Sequence, residues 1–206
     1  MNHHHEHSTE VEPVSRKDAH KLLGIAAINA ALFAFSFGMA RHTKIPAFDA
    51  EGSHDVSDTL INGTRAYSAY RNSADKTWFR TFRKASYTAI SGFGLYTAYK
   101  AGIDLLDATW ALKDLRNSNT EIFGAAVIAL GNQSAYVLSN TLDSSSFITT
   151  DAKRHNRLDR DVSSVLAASI VVGSVLPYVT EAAGLGMGLY TAWHMRPTHD
   201  NMQHSI

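Results

Sequence analysis

Charge is absent from three long stretches of the chain. Leu22 to Ala40 is rich in Ala, Ile, Leu and Phe and holds no Asp, Glu, Lys or Arg, and Ile122 to Leu142 and Val162 to Thr180 hold none either. A bilayer span needs about 20 mostly apolar residues, so each of the three approaches spanning length. Two further segments are weaker: Ala85 to Tyr99, extendable to Leu106 past Lys100 and Asp104, and Ala182 to Met195, which is short. A sixth, about Ala47 to Tyr70, contains Glu51, His54, Asp55, Asp58 and Arg65, and apolar patterning alone would not select it. Ionisable groups inside a span are costly and mark a function, so this segment needs a reason to be buried. Together the pattern predicts an all-α fold, a six-helix transmembrane bundle with short connections.

The basic residues fall unevenly between the two ends of such a bundle. Thirteen Lys and Arg lie on the side of the termini, including Arg16, Lys17 and Lys21, the run from Arg71 to Lys84, and Lys153, Arg154, Arg157 and Arg160; five lie opposite. By the positive-inside rule the protein is expected to be an integral, multi-pass membrane protein with both termini cytoplasmic. The expected organisation is a polar His-rich tail over 1–20, a six-helix domain over 21–196 and a short tail over 197–206. The first 20 residues are too polar for a cleavable signal. Trp78, Phe79, Phe82, Trp110, Tyr178 and Trp193 lie near predicted span ends, where an aromatic belt belongs. Small residues such as Gly131, Ser134 and Ala135, or Gly184, Gly186 and Gly188, would let helices approach closely.

Composition narrows the chemistry. The 206 residues carry 19 Lys+Arg and 19 Asp+Glu, so no net field favours nucleic acid. There is no cysteine, which excludes disulfides, thiol nucleophiles, iron–sulfur clusters and cysteine-type zinc sites. Any metal must be held by His, Asp, Glu or backbone oxygen. Charged residues make up 18 % and mean hydropathy is only −0.15, so a soluble all-α bundle stands beside the membrane reading. Gly184-x-Gly186-x-Gly188 lacks the spacing of a dinucleotide fingerprint and no nucleophile elbow occurs, so no enzyme is expected. The tract Met1 to His7 could gather Zn²⁺ loosely, and His194, His199 and His204 read as interfacial or solvated.

Two His-x-x-x-Asp pairs remain, His54 with Asp58 and His155 with Asp159. On a helix, positions i and i+4 share a face, so each pair offers one imidazole nitrogen and one carboxylate oxygen to a cation. Both pairs lie in or at the start of predicted spans. Brought together they give two nitrogens and two oxygens, a set that suits tetrahedral Zn²⁺ better than Mg²⁺ or Ca²⁺. Such a site is proton-sensitive, because binding needs neutral imidazoles and ionised carboxylates.

At these residues the sequence resembles the cation diffusion facilitators, six-helix exporters of divalent metals. Glu51-Gly-Ser-His54-Asp-Val-Ser-Asp58-Thr-Leu resembles the family's second-helix motif, with an acidic residue three before the His and an Asp four after it. His155-Asn-Arg-Leu-Asp159-Arg-Asp-Val-Ser-Ser resembles the fifth-helix motif, including Ser163 and Ser164. Asn132 in the fourth span and Phe79-Arg80 to Lys84 before the third add to the likeness, which covers about Arg16 to Met195. Glu51 stands for the usual Asp, Glu181 stands where the sixth helix usually opens with Asp, and Asp151 to Asp161 is unusually charged for a span. Members usually continue into a cytoplasmic metal-binding domain, whereas this sequence ends ten residues after Arg196, so the resemblance implies a minimal form.

The resemblance implies a transport site of His54, Asp58, His155 and Asp159, with Glu51, Asp55 and Asp161 along an ion or proton path. It implies export of Zn²⁺, or of Fe²⁺, Co²⁺ or Cd²⁺, from the cytoplasm against incoming protons. The expected partners are the metal ion, the lipid bilayer and a second copy in a homodimer. The alternatives are a non-transporting membrane scaffold or regulatory subunit with the same fold, and a soluble helical metal-binding protein.

Overall fold

The computed structural model describes residues 14–43, 45–71, 76–106, 119–173 and 178–194. The N-terminal His tract, Trp110, His199 and His204 lie outside them, as do the side chains of Trp78, Phe79 and His194. The described residues form six helices and no strand: α1 (Arg16–Thr43), α2 (Pro46–Arg71), α3 (Lys76–Leu106), α4 (Asn119–Asn140), α5 (Phe147–Gly173) and α6 (Tyr178–His194).

Local chemistry sets several of the ends. Ser15 caps α1: its Oγ accepts the Asp18 N–H at 3.1 Å and donates to the Asp18 carboxylate at 2.8 Å, a reciprocal cap. Pro46 opens α2, where its missing N–H costs nothing. Ser146 caps α5 by accepting the Thr149 N–H at 3.2 Å. That cap corrects the expected fifth span. The helix begins at Phe147 rather than near Val162 and ends at Gly173. Lys153, Arg154, Arg157 and Arg160 therefore belong to α5 and not to a connection, which weakens the charge asymmetry between the two ends.

Helices α1, α2, α4 and α5 pack around one another, and α3 pairs with α6 beside them. The distribution of polarity is inverted relative to a soluble bundle. α2 turns Glu51, His54, Asp55, Asp58, Asn62 and Arg65 inward, all buried, while Leu60 and Tyr67 are each 49 % exposed. Leu95, Phe123, Leu130, Leu189 and Trp193 are likewise on the outside. α1 and α4 are long and apolar enough to cross a membrane, and only 39 % and 33 % of their most apolar windows are buried. A core helix of a soluble protein would be mostly buried.

Apolar packing concentrates at the two ends of the bundle. One cluster joins Met39, Phe48, Ile128, Leu166 and Ile170; the other joins Leu22, Ile25, Ala66, Ala135 and Leu142. Between them lies a polar layer.

Candidate metal centre

α2 and α5 run antiparallel, so residues later in one face residues earlier in the other. The bonds follow that register: Glu51 meets Ser163, His54 meets Asp159, Asp58 meets His155, and Arg65 meets Asp151. The i,i+4 spacing on each helix and the antiparallel register together converge the two His and two Asp of the sequence motifs on one point.

Each imidazole bonds to the carboxylate of the opposite helix. His54 Nε2 lies 2.8 Å from Asp159 Oδ1, and His155 Nε2 lies 2.7 Å from Asp58 Oδ1. The carboxylate on its own helix is next nearest, at 3.4 Å for His54 to Asp58 Oδ2 and 3.8 Å for His155 to Asp159 Oδ2. The rings are tilted with centroids 6.2 Å apart. All four residues are buried. Asp58 Oδ2, Asp159 Oδ2 and His54 Nδ1 have no hydrogen-bond partner, which is costly for buried polar atoms and leaves acceptor capacity aimed at the centre.

One ligand atom from each of His54, Asp58 and Asp159 lies within 4.8 Å of the others. Zn²⁺ bonds of about 2.1 Å in a tetrahedron place neighbouring ligands about 3.4 Å apart. The His–Asp separations of 2.7 to 3.8 Å already bracket that value. The donors are nitrogen and carboxylate oxygen, a set suited to Zn²⁺ and its first-row neighbours.

One turn further along, Asn132 of α4 donates to Glu51 Oε1 at 2.9 Å and to Ser163 Oγ at 2.7 Å, which binds α2, α4 and α5 together. Glu51 Oε2 has no partner, and neither does Oδ1 of Asp55, whose Oδ2 accepts from Ser36 of α1 at 3.4 Å. Glu51 and Asp55 thus lie beside the four-residue cluster. Asp161 does not: it is 57 % exposed on the outer side of α5 and holds Arg160 at 2.8 Å. Ser164 also faces outward and bonds the Arg160 carbonyl. A cleft of about 10 Å³, space for one water, adjoins His54 between α2, α3 and α6, lined by Ser53, Phe93, Gly94 and Gly188.

Sequence reasoning left Arg65 without a partner. The structure gives it two: Asn62 Oδ1 at 2.8 Å and the Asp151 carboxylate of α5. Arg65 is 1 % exposed, so removing its charge partner strands a guanidinium in the core. Asp151→Ala is expected to destabilise the protein by about 3 kcal/mol. Arg65→Met combined with Asp151→Ala should recover most of that loss, as thermal unfolding of the three variants would show.

No family model, curated protein or solved structure matches the chain.

Proposed function

We propose that the protein is a membrane transporter that moves Zn²⁺, or a similar divalent ion, out of the cytoplasm in exchange for protons, with all six helices across the bilayer and both termini cytoplasmic. The observation that carries this reading is the closed, buried cluster of two His and two Asp on the paired helices α2 and α5. It is the site that the resemblance to the cation diffusion facilitators implies. The inverted polarity of the bundle and the two apolar helices support placement in lipid.

Proton coupling follows from the atoms used. The Nε2 positions that donate to the carboxylates are the positions that would bind the metal, so metal and proton compete for one set of lone pairs. Two imidazolium–carboxylate pairs carry zero net charge. Zn²⁺ held by two neutral imidazoles and two carboxylates also carries zero. Exchanging two protons for one metal therefore leaves the buried cluster electrically unchanged, which a low-dielectric interior favours strongly. The apolar clusters at either end keep water from the ion, and movement of the α3/α6 pair against the other four helices would open the layer.

Zn²⁺ uptake into proteoliposomes under an imposed pH gradient tests the proposal, with His3, His4, His5 and His7 replaced by Ala. Uptake driven by the gradient and lost in His155→Ala and Asp159→Ala is the expected result; equal, gradient-insensitive signals from all three would refute transport. Zn²⁺ affinity in detergent should rise with pH through the imidazole range, about pH 6 to 7, because protonated rings cannot bind. A slope approaching two protons released per metal, read by calorimetry in buffers of different ionisation enthalpy, would match the exchange above.

A soluble metal-binding bundle is the competing reading, and one observation favours it: the outer face of α5 is charged. Recovery of the chain in the supernatant after carbonate washing would establish it.

A further inference from the structure

The charged outer face of α5 poses a problem that lipid cannot solve, and the following rests on the membrane reading proposed above. Arg157, Arg160 and Asp161 lie within two residues of Asp159, so along the helix axis they sit within about 3 Å of the buried cluster's level. Asp159 faces in, whereas Arg157 and Asp161 are exposed. Arg160 stacks over the Tyr136 ring at 4.2 Å and bonds Asp161. Arg154 is exposed on the same face but lies seven residues from the helix start, near enough for its long side chain to reach an interface. Arg157 and Asp161 sit deeper, at the level of the buried cluster, and hydrocarbon is a poor neighbour for them.

Their spacing points to what covers them. Arg154, Arg157, Asp161, Ser164 and Ala168 are all exposed and recur at steps of three, four, three and four residues, one continuous stripe along the helix. The charged part of the stripe is self-complementary. Two copies related by a twofold axis along the membrane normal run their α5 helices parallel, with Arg157 of one about 6 Å in rise from Asp161 of the other. The symmetry makes that pair twice. Above it, Ser164 and Ala168 allow close approach of the two backbones.

We infer that the outer face of α5 is the interface with a second copy of this chain, closed by reciprocal Arg157–Asp161 pairs in the membrane. The occupant is a second copy rather than an unrelated acidic helix because this face carries both members of the pair.

The chain has no cysteine, so single-cysteine variants test this directly. Ser164→Cys and Ala168→Cys, in native membranes treated with a mild oxidant, should each give a disulfide-linked dimer, while Leu95→Cys on α3 and Leu189→Cys on α6 should not. In the Ser164→Cys background, Asp161→Arg should cut the cross-linked fraction at least tenfold, and adding Arg157→Asp should restore it. Labelling of the Ser164→Cys variant by a membrane-impermeant charged maleimide without cross-linking would overturn the inference and make the face a water-filled groove. Equal cross-linking at all four positions would overturn it as random collision. Membrane placement is read separately, from carbonate washing of the same samples. Soluble protein there would remove the lipid argument, whereas membrane-bound protein without cross-links would sink the interface alone.

Discussion

Asp58→Asn is expected to keep the fold and lose the metal. The side-chain oxygen of Asn can still accept from His155 Nε2, which Asp58 holds at 2.7 Å, so the ring stays in place. The neutral amide is a poor ligand, and Asp58 also lies 3.4 Å from His54, so one substitution weakens the contact to both imidazoles. Removing even the outer partners of metal ligands costs about 10- to 100-fold in affinity, and loss of a shared ligand should exceed about 100-fold. Calorimetric Zn²⁺ titration of protein with the N-terminal His tract replaced would measure this. Asp161→Asn, altered on the exposed side of the same helix pair, should bind as the parent does. Equal affinity for Asp58→Asn and the parent would place the metal elsewhere. Asp58→Ala adds a cost in stability of about 1–3 kcal/mol, since it leaves a buried Nε2–H with nothing to accept it.

Gly188→Leu should separate α6 from α3. A Cβ at Gly188 would stand 2.6 Å from the Ala98 nitrogen and 2.7 Å from the Gly94 oxygen, and one at Gly94 would stand 2.7 Å from the Ala192 nitrogen and the Gly188 oxygen. These neighbours are backbone atoms, which cannot swing aside as a side chain can. The Ser91 hydroxyl, which donates to the Ala192 carbonyl at 2.9 Å, depends on the same approach. Overpacking in a close-packed core costs about 1–3 kcal/mol where side chains can adjust, and more is expected where they cannot. A fall in Tm of about 10 °C, or loss of the monodisperse detergent peak, is the anticipated outcome. Gly186→Leu is the control, because nothing lies within 4 Å of a Cβ there.

The sequence pattern located the helices well where charge was absent and poorly where it was not. Leu22 to Ala40 and Ile122 to Leu142 fall in α1 and α4 almost entirely. The polar segment from Ala47 to Tyr70 was legible as α2 because its ionisable residues recur at three and four and so share a face. The start of α5 was not legible. Ser146 hides as a cap among neighbouring serines, and the charges after it resemble a loop until the helix is seen to have two polar faces. One face points inward and the other outward. The convergence of His54, Asp58, His155 and Asp159 was anticipated from two four-residue spacings and the family likeness. Asp161 was misjudged because two residues on a helix are about 200° apart, which carries it to the side opposite Asp159. The Arg65–Asp151 bond depends on the register between two helices far apart in sequence, and no local pattern encodes that.

The inverted face of α2 bears on how the chain enters a bilayer. A lone α2 would present Glu51, Asp55, Asp58 and Arg65 to hydrocarbon, and it would not remain there. α1 supplies what it needs: an apolar outer surface, Ser36 for Asp55, and close contact of Gly52 with Ser36 and Phe37 along the shared seam. α2 is thus expected to insert as a hairpin with α1, with its charges sheltered before α4 and α5 arrive to complete the cluster. Biogenesis would proceed in helix pairs, and a ribosome-stalled chain ending after Arg71 would already resist carbonate extraction while one lacking α1 would not.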